Sequence, residues 1–191
     1  MTTIAPLPVP ADPRIPSRSA AAVSHGLVRV RKIRPTDATE LERFYAELSP
    51  ENRRTRFFSI GSQVSHAQSV SFCTTDHDHR EGFVAILGRG PFRHERIVGH
   101  LCLEPDGADA AEVAIAVADA FQRQGVGRRL MEAGLAWARR EHLSRFTATM
   151  LAGNAPIHRL LHGLRLPTQV RPMCGGVAEV AIDLVGQRAA A

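Results

Sequence analysis

The sequence is poor in cysteine, lysine, tryptophan and tyrosine, and each shortage excludes something. Three cysteines in 191 residues, Cys73, Cys102 and Cys174, are too few and too scattered for a disulfide framework or a zinc site. No pair has metal-ligand spacing, so they read as reduced thiols, Cys102 buried within an apolar run. Lys32 is the sole lysine, which leaves no P-loop of the G-x-x-x-x-G-K-[ST] kind. Aromatic residues make up 5% of the chain, too sparse for a base-stacking platform, and no helix-turn-helix, RRM or zinc-finger signature is present. Nucleic acid is therefore not an expected partner. No apolar run approaches the roughly 20 residues that span a bilayer, so no membrane partner is expected either.

The first 16 residues hold five prolines and no apolar core of a secretory signal. Residues 1–25 read as a disordered tail, and the cytoplasm is the expected location. The formal charge is +5, carried almost entirely by arginine, and suits a protein that holds an anionic ligand.

From residue 27 onward the pattern is mixed α/β in one domain, with no internal repeat. Residues 27–33 alternate polar and apolar as a strand does. Thr36 or Asp37 is placed to cap the next helix, with Glu40 completing a capping box. That helix carries Leu41, Phe44, Tyr45 and Leu48 on one face and stops at Ser49-Pro50. Helices are expected over 51–57 and 65–73, then strands over 82–87 and 96–103 joined by a turn at 88–91. Residues 111–118 form a mostly apolar strand, 125–141 a long amphipathic helix, 145–151 a strand, 155–164 a helix and 177–184 a last strand. Trp137 falls on the apolar face of the long helix.

The chemistry gathers between Ala111 and Met131. A buried strand ending in Val117 runs into Gln122-Arg123-Gln124-Gly125-Val126-Gly127-Arg128, a glycine-rich loop that opens a helix. The first turn of a helix has unpaired N–H groups at the positive end of its dipole. Glycines let phosphate oxygens approach that backbone, and Arg123 and Arg128 add charge. A dinucleotide-binding loop would need a third glycine where Leu130 stands.

Gln122-x-x-Gly125-x-Gly127 after an apolar strand resembles the acetyl-CoA-binding motif of the GNAT superfamily. The element order agrees over most of the chain after Leu27, which implies a GNAT acyltransferase domain over 26–191. The resemblance implies a central, mostly antiparallel sheet whose middle strands splay, flanked by helices. It implies acetyl-CoA or another acyl-CoA as co-substrate, no metal, and permits a homodimer. Backbone groups of Ile115, Ala116 and Val117 would pair with the pantetheine arm. The N–H groups from Gln122 through Arg128 would cradle the pyrophosphate. Asn154, after the next strand, would reach the pantetheine or phosphate, and Arg159 the nucleotide end. One departure stands out: the tyrosine that often serves as general acid falls on Leu161.

Aminolysis of a thioester needs a base. Glu112 is the candidate, because strand alternation puts it on one face with Ala114, Ala116 and Ala118, where small side chains leave room for an acceptor. Partial burial would raise its pKa. Glu104, at the end of the preceding strand, is the rival. Leu48-Ser49-Pro50-Glu51 and Arg56-Phe57-Phe58, with the Glu112 strand, are similar to the GNAT domain of bacterial Pat-type protein-lysine acetyltransferases. This implies a protein-lysine acceptor. A small amine or antibiotic is the alternative acceptor, and a catalytically weak acyl-CoA sensor the alternative function. Arg53, Arg54 and Arg56 read either as recognition of an acidic acceptor or as a solvated helix face. Asp76-His77-Asp78-His79 reads as a solvated loop rather than a metal site.

Overall fold

A computed structural model describes residues 28–58, 63–88 and 95–185. The tail expected over 1–25 and most of the turn expected at 88–91 lie outside the described residues. The elements run β1 (Val28–Lys32), α1 (Ala38–Glu47), α2 (Pro50–Phe57), α3 (His66–Cys73), β2 (Glu81–Leu87), β3 (Arg96–Pro105), β4 (Ala110–Val117), α4 (Val126–Arg140), β5 (Arg145–Leu151), α5 (Ala155–Leu164), β6 (Thr168–Pro172) and β7 (Val177–Asp183). Among the described residues no helix is long and apolar enough to cross a membrane.

The strands form one seven-stranded sheet in the order β1-β2-β3-β4-β5-β7-β6. Every pairing is antiparallel except β4 with β5, which the α4 crossover makes parallel. This is the mixed, mostly antiparallel sheet expected from the sequence. Helices cover both faces. α4 and α5 lie over one, where Leu101, Leu103, Val113, Leu130, Trp137 and Phe146 form the larger core. α1 and α3 lie over the other, around Leu41, Phe44, Tyr45, Val84 and Ala116. Close approach of α4 to the sheet needs small residues: a Cβ on Gly99 would stand 2.9 Å from Leu130 Cδ1.

Two local expectations are corrected. Asp37 does not cap α1 with its side chain. Its carboxylate instead takes both arms of the Arg31 guanidinium at 2.7 and 2.8 Å and the Arg34 N–H at 2.8 Å, while Glu40 pairs with Arg43 at 2.8 Å. A bidentate charge-assisted pair outcompetes a bond to a neutral N–H. The second correction is β6. Its residues are mostly exposed and polar, with Val170 flanked by Gln169 and Arg171, so it lacks an apolar face. It forms by pairing its backbone with β7 at the sheet edge.

Between α1, α2 and β3 lies a polar pocket of the second core. His100 is fully buried, and its Nδ1 lies 2.8 Å from the Tyr45 hydroxyl. Burial, helped by the nearby Arg56 charge, lowers the His100 pKa to about 3. The imidazole is thus neutral in the folded protein at pH values where the unfolded chain binds a proton. Stability contributed by keeping His100 neutral is complete above pH 6.5 and is lost as pH falls from there toward 3. His100→Gln should therefore flatten the fall in urea-unfolding free energy between pH 6.5 and 4.5. The wild type should lose up to about 1.4 kcal/mol per pH unit more than the variant over that range. Parallel curves would contradict this account.

Candidate active site

Pairing of β4 with β5 covers only Ala110–Arg145, Ala111–Phe146 and Glu112–Thr147, after which the strands part. The Ala118 N–H bonds to the Val98 carbonyl of β3 at 2.9 Å. Backbone groups alternate in direction along a strand, so those of Ala114 and Ala116 also turn to β3. Those of Val113, Ile115 and Val117 turn the other way, into the gap that β5 leaves. The Val117 carbonyl is already engaged there, by Asn52 Nδ2 at 2.7 Å and Gln122 Nε2 at 3.2 Å.

The gap meets a loop and two helix starts. Gly125, at φ +80°, turns the chain into α4. The Arg129 N–H makes the first bond of that helix, to the Gly125 carbonyl at 3.1 Å. The N–H groups from Arg123 to Arg128 therefore precede the helical ladder and face outward as donors. The side chain of Gln124 braces the loop through the Ala120 carbonyl at 2.7 Å. Arg123 and Arg128 are exposed, Arg128 pairing with Glu132 at 2.8 Å, so both flank the loop from solvent. A Cβ on Gly127 would lie 3.7 Å from Leu160 of α5 and 3.8 Å from the Ile115 and Val117 side chains. The edge of β4, the start of α4 and the face of α5 thus converge at Gly127. Asn154 caps α5, its Oδ1 accepting from the Ile157 N–H at 3.2 Å. Arg159, one turn on, is exposed. Leu161 packs against the larger core.

Glu112 lies on the α1–α3 face of the sheet, opposite Glu104 of β3. The partial burial expected for Glu112 is absent, and its side chain is exposed. Near this end of the strand, α2 reaches only as far as the next step inward, where an Arg56 nitrogen lies 3.4 Å from Cys102 Sγ. Glu104 is held by Arg80 at 2.7 Å. No hydrogen bond or ion pair engages Glu112 among the described residues.

Sequence reasoning missed the residues that brace this site. Ser49 donates from its hydroxyl to Asp119 at 2.6 Å and from its N–H at 3.0 Å, tying the start of α2 to the end of β4. Burial pushes the Asp119 carboxyl up, but hydrogen bonds from Ser49 and Asn52 outweigh it and hold the group below the usual carboxylate range. Only the Ser-Pro helix start was visible in the sequence; its partner lies 70 residues away. The Asp76 loop folds on itself, Asp76 Oδ1 accepting three backbone N–H groups, and His77 Nδ1 lies 2.9 Å from Glu81.

Comparison with known proteins bears on this geometry. The profile of the "Acetyltransferase (GNAT) family" matches residues 38–164. The GNAT domain of S. lividans PAT superimposes with a TM-score of 0.72 at 29% identity, over 82% of this chain and 90% of that one. YncA from Salmonella typhimurium, solved with its cofactor acetyl-CoA, shares the fold at a TM-score of 0.66 and 17% identity, over 83% and 94% of the chains. A GCN5-related N-acetyltransferase from Kribbella flavida does so at 0.63 and 22%, over 83% and 98%.

The two loop glycines should respond differently to alanine. Gly125→Ala places a side chain at positive φ and should cost about 1 kcal/mol in urea unfolding, with weaker binding of an anion at the loop. Gly127→Ala meets only ordinary contacts and should change stability by less than about 0.5 kcal/mol. Equal losses would mean that the left-handed turn at Gly125 is not the constraint.

Proposed function

The chain belongs to the GNAT family of acetyltransferases and is an acetyl-CoA-dependent N-acyltransferase, and from that premise we propose that its acceptor is a protein lysine and that Glu112 is the base. The observation that carries this reading is an uncommitted carboxylate where β4 and β5 part. The Glu112 carboxylate is unpaired and exposed, at the last residue of β4 that pairs with β5 and before the open backbone edge at Ile115. Its rival Glu104 is neutralised by Arg80.

Bound acetyl-CoA supplies the acyl group as an activated thioester. The loop N–H groups from Arg123 through Arg128 would hold its pyrophosphate, with charge from Arg123 and Arg128, whereas the Gln122 N–H expected to join them is spent on the Asp119 carbonyl at 3.3 Å. Ile115, with the Val117 N–H, would present the strand edge to the pantetheine arm, the Val117 carbonyl being held by Asn52 and Gln122 and Ala116 facing β3 between them. Asn154 has its Nδ2 to offer from the cap of α5, and Arg159 lies one turn further toward the nucleotide end. The Ile115 N–H would polarise the carbonyl under attack. Glu112 then takes a proton from the incoming ammonium, directly or through one water. Leu161 has no proton to give, so the departing thiolate takes one from water.

A protein acceptor is favoured because the carboxylate is open to solvent and reachable by a lysine on a large partner. The sequence similarity to the S. lividans PAT domain supports the same acceptor class. Glu112→Gln should lower kcat by at least about 100-fold while the Kd for acetyl-CoA moves less than about twofold. Turnover equal to wild type would remove Glu112 from the mechanism. Thiol release should be faster with lysine-bearing proteins than with a panel of small amines and aminoglycosides; the reverse order would favour a small-amine enzyme.

A further inference from the structure

α2 carries a cation into the acceptor side of the sheet with no counter-charge to meet it. Asn52 and Arg56 lie one turn apart and point the same way. Asn52 pins α2 to the Val117 carbonyl, and Arg56 reaches back along β4 to Cys102, its Nη2 3.4 Å from the sulfur. Cys102 faces Ala114, one step inward of the Glu104–Glu112 pair, which puts it roughly 7 Å from that pair along the strand. The guanidinium also stacks on Phe57, 4.9 Å from the ring centroid.

Every side chain recorded against Arg56 is neutral at pH 7. Burial pushes the Tyr45 phenol up to about 12 and the Cys102 thiol above its usual range. No ion pair joins Arg56 to Glu104, Glu112 or any other carboxylate among the described residues. Arg56 Nε is buried and has no partner, and the same is true of His100 Nε2. The Tyr45 hydroxyl and His100 Nδ1 share one hydrogen bond at 2.8 Å, which leaves Nε2 as the ring nitrogen without a partner. Two buried nitrogens, one of them the N–H of a guanidinium, thus lack a hydrogen-bond partner among the described residues, on the face that holds Ala114 and Ala116. Arg56 as a whole residue is half-buried, with its Nε covered.

We propose that Arg56 forms a carboxylate subsite beside Glu112, filled either by the free carboxylate of a dicarboxylic acyl chain or by an acidic group of the acceptor. A carboxylate matches the planar fork of a guanidinium and supplies the missing charge. This rests on the acyl-transfer reading but not on Glu112 being the base.

The test compares ligands that differ only in that charge. Succinyl-CoA and butyryl-CoA have acyl chains of equal length, and their Kd values can be measured by calorimetry on the wild-type chain. Lysine peptides with Glu or Gln beside the lysine are compared by kcat/KM in parallel. The acyl source predicts succinyl-CoA binding on the order of tenfold tighter than butyryl-CoA; the acceptor source predicts a similar preference for the Glu peptide. Arg56→Met should abolish whichever preference exists while the Kd for acetyl-CoA stays within about twofold. Equal values in both wild-type arms would overturn the proposal, meaning that the guanidinium holds only water. A preference that survives in folded Arg56→Met overturns it too. The wild-type comparison needs no variant, so a misfolded Arg56→Met leaves the proposal exposed to failure. Glu112→Gln, tested for succinyl-CoA binding, separates the two readings: unchanged turnover strikes the base alone, and unchanged binding leaves the subsite intact.

Discussion

A parallel strand pair that stops after three residue pairs leaves backbone N–H and C=O groups unpaired in the middle of a sheet. Such groups cost about 1–3 kcal/mol each when buried without a partner. The rest of the structure is arranged around that debt at the edge of β4. Asn52 and Gln122 satisfy the Val117 carbonyl from two directions. The remaining edge, at Ile115, stays available for an extended ligand that can pair as a strand would.

Both flanking layers are fastened to this gap. On one face, α4 begins where β4 ends, and Gly99 and Gly134 let it lie close to β3. Its free N–H groups therefore point at the mouth of the gap rather than elsewhere. On the other face, the Ser49–Asp119 pair and Asn52 fasten α2 across the end of β4. Both flanking layers are thus anchored to one strand, β4. The cost appears in the second core, where α2 brings a guanidinium down onto Tyr45, His100 and Cys102.

Much of this was legible in order along the chain. The strand from Ala110 to Val117, the turn at Gly125 and the face of α4 follow from apolar period and glycine placement. The alternation that set Glu112 with Ala114 and Ala116 is the alternation observed, Ala116 lying with the α1–α3 core and Val113 with the other. β6 was not legible, because an exposed edge strand held by backbone pairing needs no side-chain pattern. The Asp37 cap was misread because its competitor, Arg31, belongs to another element. Arg56 looked like one member of an arginine-rich helix face, and nothing local distinguishes it from Arg53 or Arg54.

The sequence by itself determined every element but β6, the family and the glycine turn at Gly125, because those depend on period, glycine conformation and spacing within a few residues. The tertiary structure alone decided where the strands part, which of two facing glutamates is free, and which arginine is buried against the reaction groove. Those are contests between groups 24 to 70 residues apart, such as Arg80 for Glu104 or Ser49 for Asp119, and are settled by which partner arrives in space. The stretch from Ala111 to Met131 carries the strand, the glycine turn and the helix start in its own pattern. What faces that site from α2 is fixed only by folding.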